Sequence, residues 1–578
     1  MISGLGQILI NKKLKQEFDK IIVQRAQFQH MRSFIATFLQ APPYIGVIAA
    51  SLFFSLSLTP SMIPRPFVLQ GLLSGFAMIF GYGLGVACVA LWHYMQLPAL
   101  ASRPRRVFHY ISTTAVMVIL SVSLFLSDKW QNDLRLVMEL PEQEDGRIIS
   151  MALIAIVLAL VLLLLARCIK YLFFFIAGRL KRIIPPRITN VISAVIVVVI
   201  VVTLSNQFAV RNLVNTMDEI YAASDALTDT DARRPANPWQ TGSDASLISW
   251  DSLGRRGQNF VSMGSTKAAI AAHFGDTDVR DPIRVYVGLR SAKTGERRAA
   301  LALEELIRAG GFERSKLVVA TPTGTGWHDP SGVDPFEFMH RGDTAMVTVQ
   351  YSYLPSWLTL LLDPTRVRVD SRRLFQEIYQ YWATLPKDER PELYIYGLSL
   401  GALGAETSIE IASLLRDPIQ GGVFAGTPFP STYAPTLMRS RKPGSPQWQP
   451  VVEDSSFIRF TAQENALDIP GAKWGRVRLV YIQYASDPMV FFTPDMYFRE
   501  PDWIRSERGP DISPDLKWFP VVTFLQVMFD LPMADKVPKG VGHNYSASSY
   551  IDAWVAVSDP VHWSDAQTKR LKVYFQGR

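Results

Sequence analysis

A serine lies between two glycines in the run Gly397-Leu398-Ser399-Leu400-Gly401, after the apolar stretch LYIY and before the small residues ALGAE. A G-x-S-x-G pattern between a strand and a helix is typical of nucleophilic serines, because the tight turn exposes the hydroxyl and the glycines allow close packing. The pattern predicts acyl-transfer chemistry at Ser399. The alternative is an ordinary serine in a tight connection.

A serine hydroxyl is a poor nucleophile unless a histidine accepts its proton. Two histidines follow Ser399 in the chain, His543 and His562. His543 lies in the glycine-flanked run PKGVGHNYS, which is typical of a loop that presents an imidazole, whereas His562 lies in DPVHWSD, which is typical of a surface loop. We predict His543 as the base.

A carboxylate must orient that histidine, and it is expected between the serine and the histidine in the chain. Asp487 directly follows the apolar run VRLVYIQYAS, where the carboxyl end of a strand would carry functional residues. Asp511 and Asp515 are the alternatives, and we expect both to be solvated loop residues. We predict Asp487 as the acid.

The attacked carbonyl oxygen needs two hydrogen-bond donors. One predicted donor is the backbone amide of Leu400, the residue after the serine. The second is expected in the glycine-rich run that follows KLVVAT and contains Gly324, Thr325 and Gly326, although the sequence does not choose among these amides. A phosphate-binding loop is disfavoured there because the G-K-[ST] ending is missing.

Large apolar residues beside these positions predict the wall of an acyl pocket or a lid. They are Trp327, Leu398, Phe491 and Phe492. Ordinary core packing explains the aromatic residues after the predicted acid nearly as well. We also expect His328, next to the glycine-rich run, to approach the substrate. No histidine has the ligand spacing of a zinc site, so neither a metal nor a cofactor is predicted.

The elements that must position these residues alternate between strands and helices from about residue 259 onward. The strand-like runs are IRVYVGL, KLVVATP, DTAMVTVQYSY, ELYIYG, GGVFAG and RVRLVYIQYAS. Amphipathic helical runs separate several of them, so a mainly parallel sheet covered by helices on both faces is predicted.

The amino-terminal third has a different composition. The whole chain of 578 residues is 48% hydrophobic with a mean hydropathy of +0.13, which is too apolar for a purely soluble protein. Five apolar stretches approach the length of a membrane-spanning helix: 44–62, 67–95, 110–127, 148–177 and 188–205. About five spans are predicted. The alternative is that one stretch, most plausibly the third, is re-entrant or interfacial.

Charged residues around these stretches predict their orientation. The amino-terminal segment and the runs ASRPRR and GRLKRIIPPR are basic, whereas MELPEQEDGR is acidic. The positive-inside rule places the basic segments in the cytoplasm and everything after about residue 206 outside it. Membrane orientation therefore explains the formal charge of +8, and no nucleic-acid partner is predicted.

Composition also predicts the domain boundaries. We expect a cytoplasmic segment at 1–33, a transmembrane domain at 34–210, a linker at 211–258 and a catalytic domain at 259–570. The tail at 571–578 ends in KVYFQGR, which resembles the remnant of a protease site, so we do not expect it to contribute to the fold.

Several motifs together resemble one family. They are LTPSMIPRP, GYGLG, LGRRGQNFV, PIRVYVGL, TPTGTGW, QYSYLPSW, GLSLG, ASDPMV and GHNY. The sequence resembles the bacterial membrane-anchored α/β-hydrolases, in which a multi-span domain precedes an extracytoplasmic catalytic domain. The resemblance implies an α/β-hydrolase fold with Ser399, Asp487 and His543 as a triad, in the cytoplasmic membrane of a bacterium. An acidic residue often precedes the serine in that family; Leu398 stands here, which affects the polarity of the pocket.

A catalytic domain tethered to a bilayer meets lipid esters at high effective concentration. We therefore predict a serine ester hydrolase of the lipase type that acts on an acylated lipid or a lipid-linked envelope molecule. Two alternatives remain open: an acyltransferase that uses the same triad, and a non-catalytic membrane scaffold. The sequence does not determine the oligomeric state.

Overall fold

The computed structural model describes five stretches of the chain: 42–98, 101–143, 147–205, 211–409 and 417–576. The predicted cytoplasmic segment 1–33 lies outside them. The chain divides into two compact units. The first, here called the helical unit, runs to Leu58 and continues as Pro66–Phe125 and Arg147–Leu213. The second, the sheet unit, comprises Thr59–Arg65, Leu126–Gly146 and Val214–Arg578.

The helical unit is built from five apolar helices at the predicted positions. They are α1 (Tyr44–Ser57), α2 (Phe67–Tyr94), α3 (Ser102–Val137), α4 (Ile148–Leu180) and α5 (Pro186–Thr203). By length and composition, α2 to α5 are the four described helices that could cross a membrane. Helix α1 has only 14 described residues, or about 21 Å of rise. Helix α3 is continuous over 36 residues, which gives no support to a re-entrant third stretch.

Close contacts between helices explain most glycines of α2. A Cβ at Gly71 would lie 2.8 Å from the carbonyl oxygen of Met151 in α4, and one at Gly81 would lie 2.6 Å from that of Ala49 in α1. Small residues of this kind let helix backbones approach in an apolar environment. Gly83 is different, because its Cβ position is open.

The sheet unit contains seven parallel strands, which confirms the predicted sheet. They are β1 (Ile283–Val287), β2 (Lys316–Thr321), β3 (Thr344–Val349), β4 (Glu392–Leu398), β5 (Gly421–Ala425), β6 (Ile458–Thr461) and β7 (Arg478–Ile482). Their order is β1-β3-β2-β4-β5-β7-β6. The edge strand β6 was not predicted, because four residues carry too little pattern to be recognised.

Helices cover the sheet. They are α6 (Arg211–Asp225), α7 (Gly254–Ser262), α8 (Lys267–Phe274), α9 (Gly295–Arg308), α10 (Pro330–Met339), α11 (Ser356–Leu362), α12 (Pro364–Thr384), α13 (Leu400–Ser408), α14 (Ala434–Arg439), α15 (Pro488–Phe491), α16 (Asp502–Arg505), α17 (Val522–Asp530), α18 (Ala547–Ser558) and α19 (Asp565–Gln576). Every residue of β1, β3 and β5 is buried, as expected for strands packed on both faces.

Two segments differ from their predicted roles. The predicted linker 211–258 contains α6 and the start of α7. The tail predicted not to contribute to the fold forms the end of α19, where Leu571 and Phe575 are buried. Their i, i+4 spacing puts both on one face of the helix, and the Phe575 ring packs 5.2 Å from that of Phe338. Residues up to 576 therefore belong to the sheet unit.

The segment Thr59–Arg65, between α1 and α2, also belongs to the sheet unit. There it surrounds the carboxylate of Asp530, at the end of α17. Ser61 donates its hydroxyl to this carboxylate, the amide of Met62 donates at 3.2 Å, and Arg65 Nε lies 3.6 Å away. Burial raises the pKa of Asp530, an effect that Arg65 and both donors oppose. The segment thus compensates a buried acid of the sheet unit.

Candidate active site

Ser399 stands on a strained turn at the carboxyl end of β4. Its φ and ψ are 61° and −129°, and a positive φ is costly for any residue with a side chain. A Cβ at Gly397 would lie 2.2 Å from the oxygen of Gly401, and one at Gly401 would lie 2.2 Å from the oxygen of Thr321. Only glycine fits either position. Leu400 begins α13, so its amide has no acceptor one turn earlier in the helix.

Asp487 and His543 form a buried pair after β7. The distance from His543 Nδ1 to Asp487 Oδ2 is 2.6 Å. The same oxygen accepts the hydroxyl of Tyr545 at 2.6 Å, and Oδ1 accepts the amide of Met489 at 2.8 Å. These three donors fix the carboxylate. Because Nδ1 donates to it, the lone pair of His543 is left on Nε2.

The strand ends bring this pair to Ser399. The amide of Ser399 donates to the oxygen of Ala425 at 2.9 Å, and the amide of Gly426 donates to the oxygen of Ile482 at 2.9 Å. The imidazole lies over this junction, since a Cβ at Gly426 would be 2.5 Å from His543 Cε1. Ser399 and His543 line one cavity, and the buried atoms Ser399 Oγ and His543 Nε2 have no hydrogen-bond partner among the described residues.

The electrostatics of His543 match the role of a base. Burial lowers the pKa of its imidazole, but the charge of Asp487 and the hydrogen bond to it outweigh burial, so the pKa of His543 is raised above its ordinary value. A raised pKa means a stronger proton acceptor, which favours removal of a proton from a serine hydroxyl.

Hydrogen bonds within the glycine-rich loop after β2 show which of its amides are already occupied and which one could be the second oxyanion donor. The amide of Gly324 donates to Ser356 Oγ at 3.0 Å, and that of Gly326 donates to the oxygen of Thr323 at 2.9 Å. Among the residues that the structure describes, the amide of Thr325 has no acceptor, and Thr325 borders the cavity. Of the three predicted amides, that of Thr325 is therefore best placed to donate.

The cavity has a volume of about 550 Å³ and mixed walls. The larger apolar residues that line it are Tyr221, Trp327, Trp357, Leu398, Met489 and Leu531. The charged residues that line it, apart from His543, are Arg256, Asp535 and Lys536. Of the four residues predicted to bind substrate, Trp327 and Leu398 line the cavity.

The other two predicted substrate residues, Phe491 and Phe492, do not line it. Phe492 packs between the rings of Phe429 and Phe524, at 4.9 and 5.2 Å. The oxygen of Phe491 accepts the indole N–H of Trp503 at 3.2 Å. Both rings belong to the core, because the short helix α15 turns Met489 to the cavity instead.

The sequence analysis did not predict the hydrogen bonds that hold the loop before His543. Ser486 donates its hydroxyl to Asp511 at 2.5 Å and accepts the amide of Gly542 at 2.7 Å. Asp511, expected to be solvated, is buried in this network, whereas Asp515 is exposed as expected. Burial of Asp511 allows it to fix the loop next to His543. Tyr545 was also missed, although its i+2 spacing from the histidine in GHNY was a usable signal.

Two other histidines have clear positions. We expected His328 to approach the substrate, but it does not line the cavity. It is buried instead, with Nε2 2.9 Å from Thr348 Oγ1 and its ring 4.8 Å from that of Phe260. Burial, followed by the charge of Arg284, lowers the pKa of His328 to about 3, so it stays neutral. His562 is exposed in a turn, as predicted.

A parallel sheet whose central strand ends in a strained G-x-S-x-G turn, with an aspartate and a histidine placed by later loops, defines the α/β-hydrolase fold. The comparisons with known proteins agree. The chain belongs to the alpha/beta-hydrolase family, which residues 283–571 match, while residues 58–264 match the family described as its N-terminus. No curated protein and no solved structure matches the chain. The family and the apolar helices confirm the resemblance to membrane-anchored hydrolases.

Proposed function

We propose that the protein is a membrane-anchored serine hydrolase that cleaves an ester through an acyl-enzyme. One observation carries the proposal: a strained serine, Ser399, lines the same cavity as His543, whose Nδ1 lies 2.6 Å from Asp487. Backbone strain of this kind costs on the order of 1–3 kcal/mol and is concentrated at functional sites. A serine in a structural turn has no need of such strain.

The positions of these residues support the following mechanism. Ser399 Oγ attacks the carbonyl carbon as His543 Nε2 takes its proton, and Asp487 stabilises the imidazolium through Nδ1. The amides of Leu400 and Thr325 donate to the oxyanion. The tetrahedral intermediate then collapses, the C–O bond to the alcohol breaks, and His543 protonates the departing alcohol.

Water completes the cycle. His543 takes a proton from a water molecule, whose oxygen attacks the acyl carbon, and the bond to Ser399 Oγ breaks as His543 returns the proton. The products are the carboxylic acid and the free enzyme. Another alcohol in place of water would give acyl transfer.

The walls of the cavity and the apolar helices support a lipid or lipid-linked ester as the substrate. Trp327, Trp357 and Leu398 give the cavity apolar surface beside Ser399, as in sites that bind acyl chains. An enzyme held at a bilayer encounters lipid esters at high local concentration.

The arrangement of the loops supports an extracytoplasmic sheet unit. The segments Thr59–Arg65 and Leu126–Gly146 belong to the sheet unit, whereas the basic runs at 101–106 and 178–187 belong to the helical unit. Helices α2 and α3 connect Thr59–Arg65 to Leu126–Gly146, and α4 and α5 connect that segment to Val214–Arg578, so each interval has an even number of crossings, which returns the chain to the same side. The positive-inside rule then puts the basic runs in the cytoplasm.

Fluorophosphonate labelling tests the chemistry. We expect the full-length protein in detergent or in lipid to be labelled, Ser399→Ala to be unlabelled, and the exposed control Ser440→Ala to be labelled like wild type. An unlabelled wild type in both environments would refute the serine mechanism. Lipid profiling of vesicles that contain wild type or Ser399→Ala would then identify the substrate as the ester that disappears only with wild type.

Labelling of single cysteines tests the orientation. Cys88 and Cys168 are first replaced by serine, after which Glu142→Cys and Arg182→Cys are introduced separately. A membrane-impermeant maleimide added to intact spheroplasts should label Glu142→Cys only. Labelling of Arg182→Cys only would reverse the proposed orientation.

A further inference from the structure

We propose that Arg256 forms an anion-binding subsite in the cavity of Ser399, so that the preferred substrate is an ester that carries a negatively charged group. This inference rests on the proposed hydrolase function and specifies its substrate class. Arg256 lines the same cavity as Ser399 and His543.

The backbone of α7 fixes Arg256 at the cavity. Gly254 has a φ of +70°, and a Cβ there would lie 2.1 Å from a carboxylate oxygen of Asp225. A Cβ at Gly257 would lie 2.4 Å from the ring of Tyr286. The amide of Arg256 itself donates to Asp225 at 3.3 Å. Two glycines and one amide therefore hold the residue in one place.

Tyr286 also connects α7 to the proposed oxyanion loop. Its hydroxyl donates to the oxygen of Gly326 at 2.9 Å, one residue after Thr325. One buried ring thus packs against α7 and holds the loop whose amide is proposed to face the reacting carbonyl. The backbone at Arg256 is consequently held relative to the oxyanion loop, which is a requirement for a specificity-determining residue.

The charge of Arg256 lacks a partner within the cavity. The other charged residues of the cavity besides His543 are Asp535 and Lys536, and they form an ion pair with each other, with 3.3 Å between Lys536 Nζ and Asp535 Oδ2. Among the described residues, the guanidinium of Arg256 has no hydrogen bond and no ion pair within 4.0 Å, and Asp225 acts on it only from beyond that distance. Burial and then the neighbouring charge of Arg255 lower the pKa of Arg256 from its ordinary value, so the protein does not fully compensate this cation.

The adjacent arginine is different. Arg255 donates to Ser224 Oγ at 3.1 Å and lies 3.9 Å from Asp229, and it does not border the cavity. The two consecutive arginines therefore differ in their contacts. Arg255 contacts Ser224 in α6 and Asp229 just after it, whereas Arg256 lines the cavity. Arg255 provides a matched control.

A partly buried guanidinium in a cavity with apolar walls beside it is a strong site for an anion. Its planar N–H groups match carboxylate and phosphate oxygens and donate to them in pairs. Both groups fit this chemistry: a carboxylate on the acyl or alcohol part of the ester, or the phosphodiester of a lipid headgroup.

Matched substrates test the subsite. The first pair is mono-4-nitrophenyl glutarate and its methyl ester, which differ by one charge. The second pair is dihexanoyl-phosphatidylglycerol and dihexanoylglycerol, which differ by the phosphodiester headgroup. The specificity ratio, defined as kcat/KM for the anionic ester over that for its neutral partner, is measured for wild type, Arg256→Gln, Arg256→Lys, Arg256→Glu and Arg255→Gln.

We expect Arg256→Gln to lower the specificity ratio roughly tenfold to a hundredfold in at least one pair, the range that a hydrogen bond between charged groups supplies. Arg256→Lys should retain part of it, and Arg255→Gln all of it. Arg256→Glu should in turn accelerate cleavage of the 4-nitrophenyl ester of 4-(trimethylammonio)butyrate, which a purely structural role would not do. A loss in the glutarate pair alone indicates a carboxylate, and a loss in the phospholipid pair alone indicates a headgroup.

Two outcomes would overturn the inference, and they are distinguishable. If wild type cleaves the neutral esters and Arg256→Gln leaves both ratios within twofold of wild type, the subsite is absent while the hydrolase remains. If wild type cleaves no ester and Ser399 resists fluorophosphonate, the proposed function itself fails and the subsite fails with it.

Discussion

The replacement Asp487→Asn tests the proposed mechanism most directly, because the carboxylate is held by three donors. Oδ2 faces His543 and Tyr545, both at 2.6 Å, and Oδ1 faces the amide of Met489 at 2.8 Å. An asparagine side chain has the same shape, but one end carries an NH₂ group that cannot accept a hydrogen bond.

Either orientation of the asparagine is costly. If its oxygen faces His543, its NH₂ group opposes the amide of Met489, and the buried donor left unsatisfied destabilises the fold by about 1–3 kcal/mol. If its NH₂ group faces His543, then Nδ1 must accept, the proton moves to Nε2, and the imidazole no longer receives a proton from Ser399. In both cases the negative charge that stabilises the imidazolium is lost.

We therefore expect kcat/KM of Asp487→Asn to fall roughly 10³- to 10⁴-fold, or about 4–5.5 kcal/mol of transition-state stabilisation. The assay is hydrolysis of 4-nitrophenyl butyrate in detergent micelles, with thermal unfolding as a check on the fold. Tyr545→Phe is the matched control: it removes one donor to the same oxygen but keeps the charge and the bond to His543, so its loss should stay within about tenfold.

The pH profile supplies a second readout. His543 must be neutral to act as a base, so activity is present above its pKa and lost as the pH falls through it. In wild type this loss should occur above the ordinary histidine pKa of 6.5, because Asp487 raises it. In Asp487→Asn the two raising causes that come from Asp487 are gone, whereas burial and the smaller effect of Asp535 remain, so the loss should move to lower pH. An unchanged profile with kcat/KM within tenfold of wild type would refute the role of Asp487.

Three further predictions concern residues around the cavity and beyond it. Gly426→Ala places a methyl group 2.5 Å from His543 Cε1, so the rate of ester hydrolysis should fall roughly 10²-fold. A wild-type rate would contradict the position of the imidazole. Phe492→Ala should lower the free energy of unfolding by about 3–5 kcal/mol in denaturant titration yet leave Ser399 reactive to fluorophosphonate below the transition. Asp530→Ala leaves Arg65 buried without its ion-pair partner, so the free energy of unfolding, measured by denaturant titration, should fall by about 3–5 kcal/mol. The double variant that also carries Arg65→Met should recover most of this loss. A double variant as unstable as Asp530→Ala would contradict the ion pair.

The sequence was most informative where local pattern and position along the chain coincide. The strands before Ser399 and Asp487 are apolar and β-branched, so their carboxyl ends could be located from the text, and their order indicated which acid and which histidine to expect. The structure places Asp487 and His543 in contact, and His543 lines the same cavity as Ser399. Parallel strands explain this arrangement, because they bring all such ends to one edge.

The predictions that the structure contradicts have a common physical cause, which is that the sequence does not show where side chains on short irregular elements point. Phe491 and Phe492 have the composition of a pocket, but the four residues of α15 decide which of them faces inward, and Met489 is the one that reaches the cavity. Residue type alone could not show this. Nor could it show that Asp511 lies buried behind the histidine loop, because its partner Ser486 precedes it by 25 residues.

The position of Ser61 has a consequence for biosynthesis. It bonds to Asp530 across 469 residues of chain, so one side of that contact leaves the ribosome before any strand of the sheet, and the other only near the end of translation. Closing so long a loop is slow and comes late in folding. A fragment that begins at residue 214 would lack Thr59–Arg65, so the buried carboxylate of Asp530 would lose the hydrogen bonds from Ser61 and Met62 and the charge of Arg65.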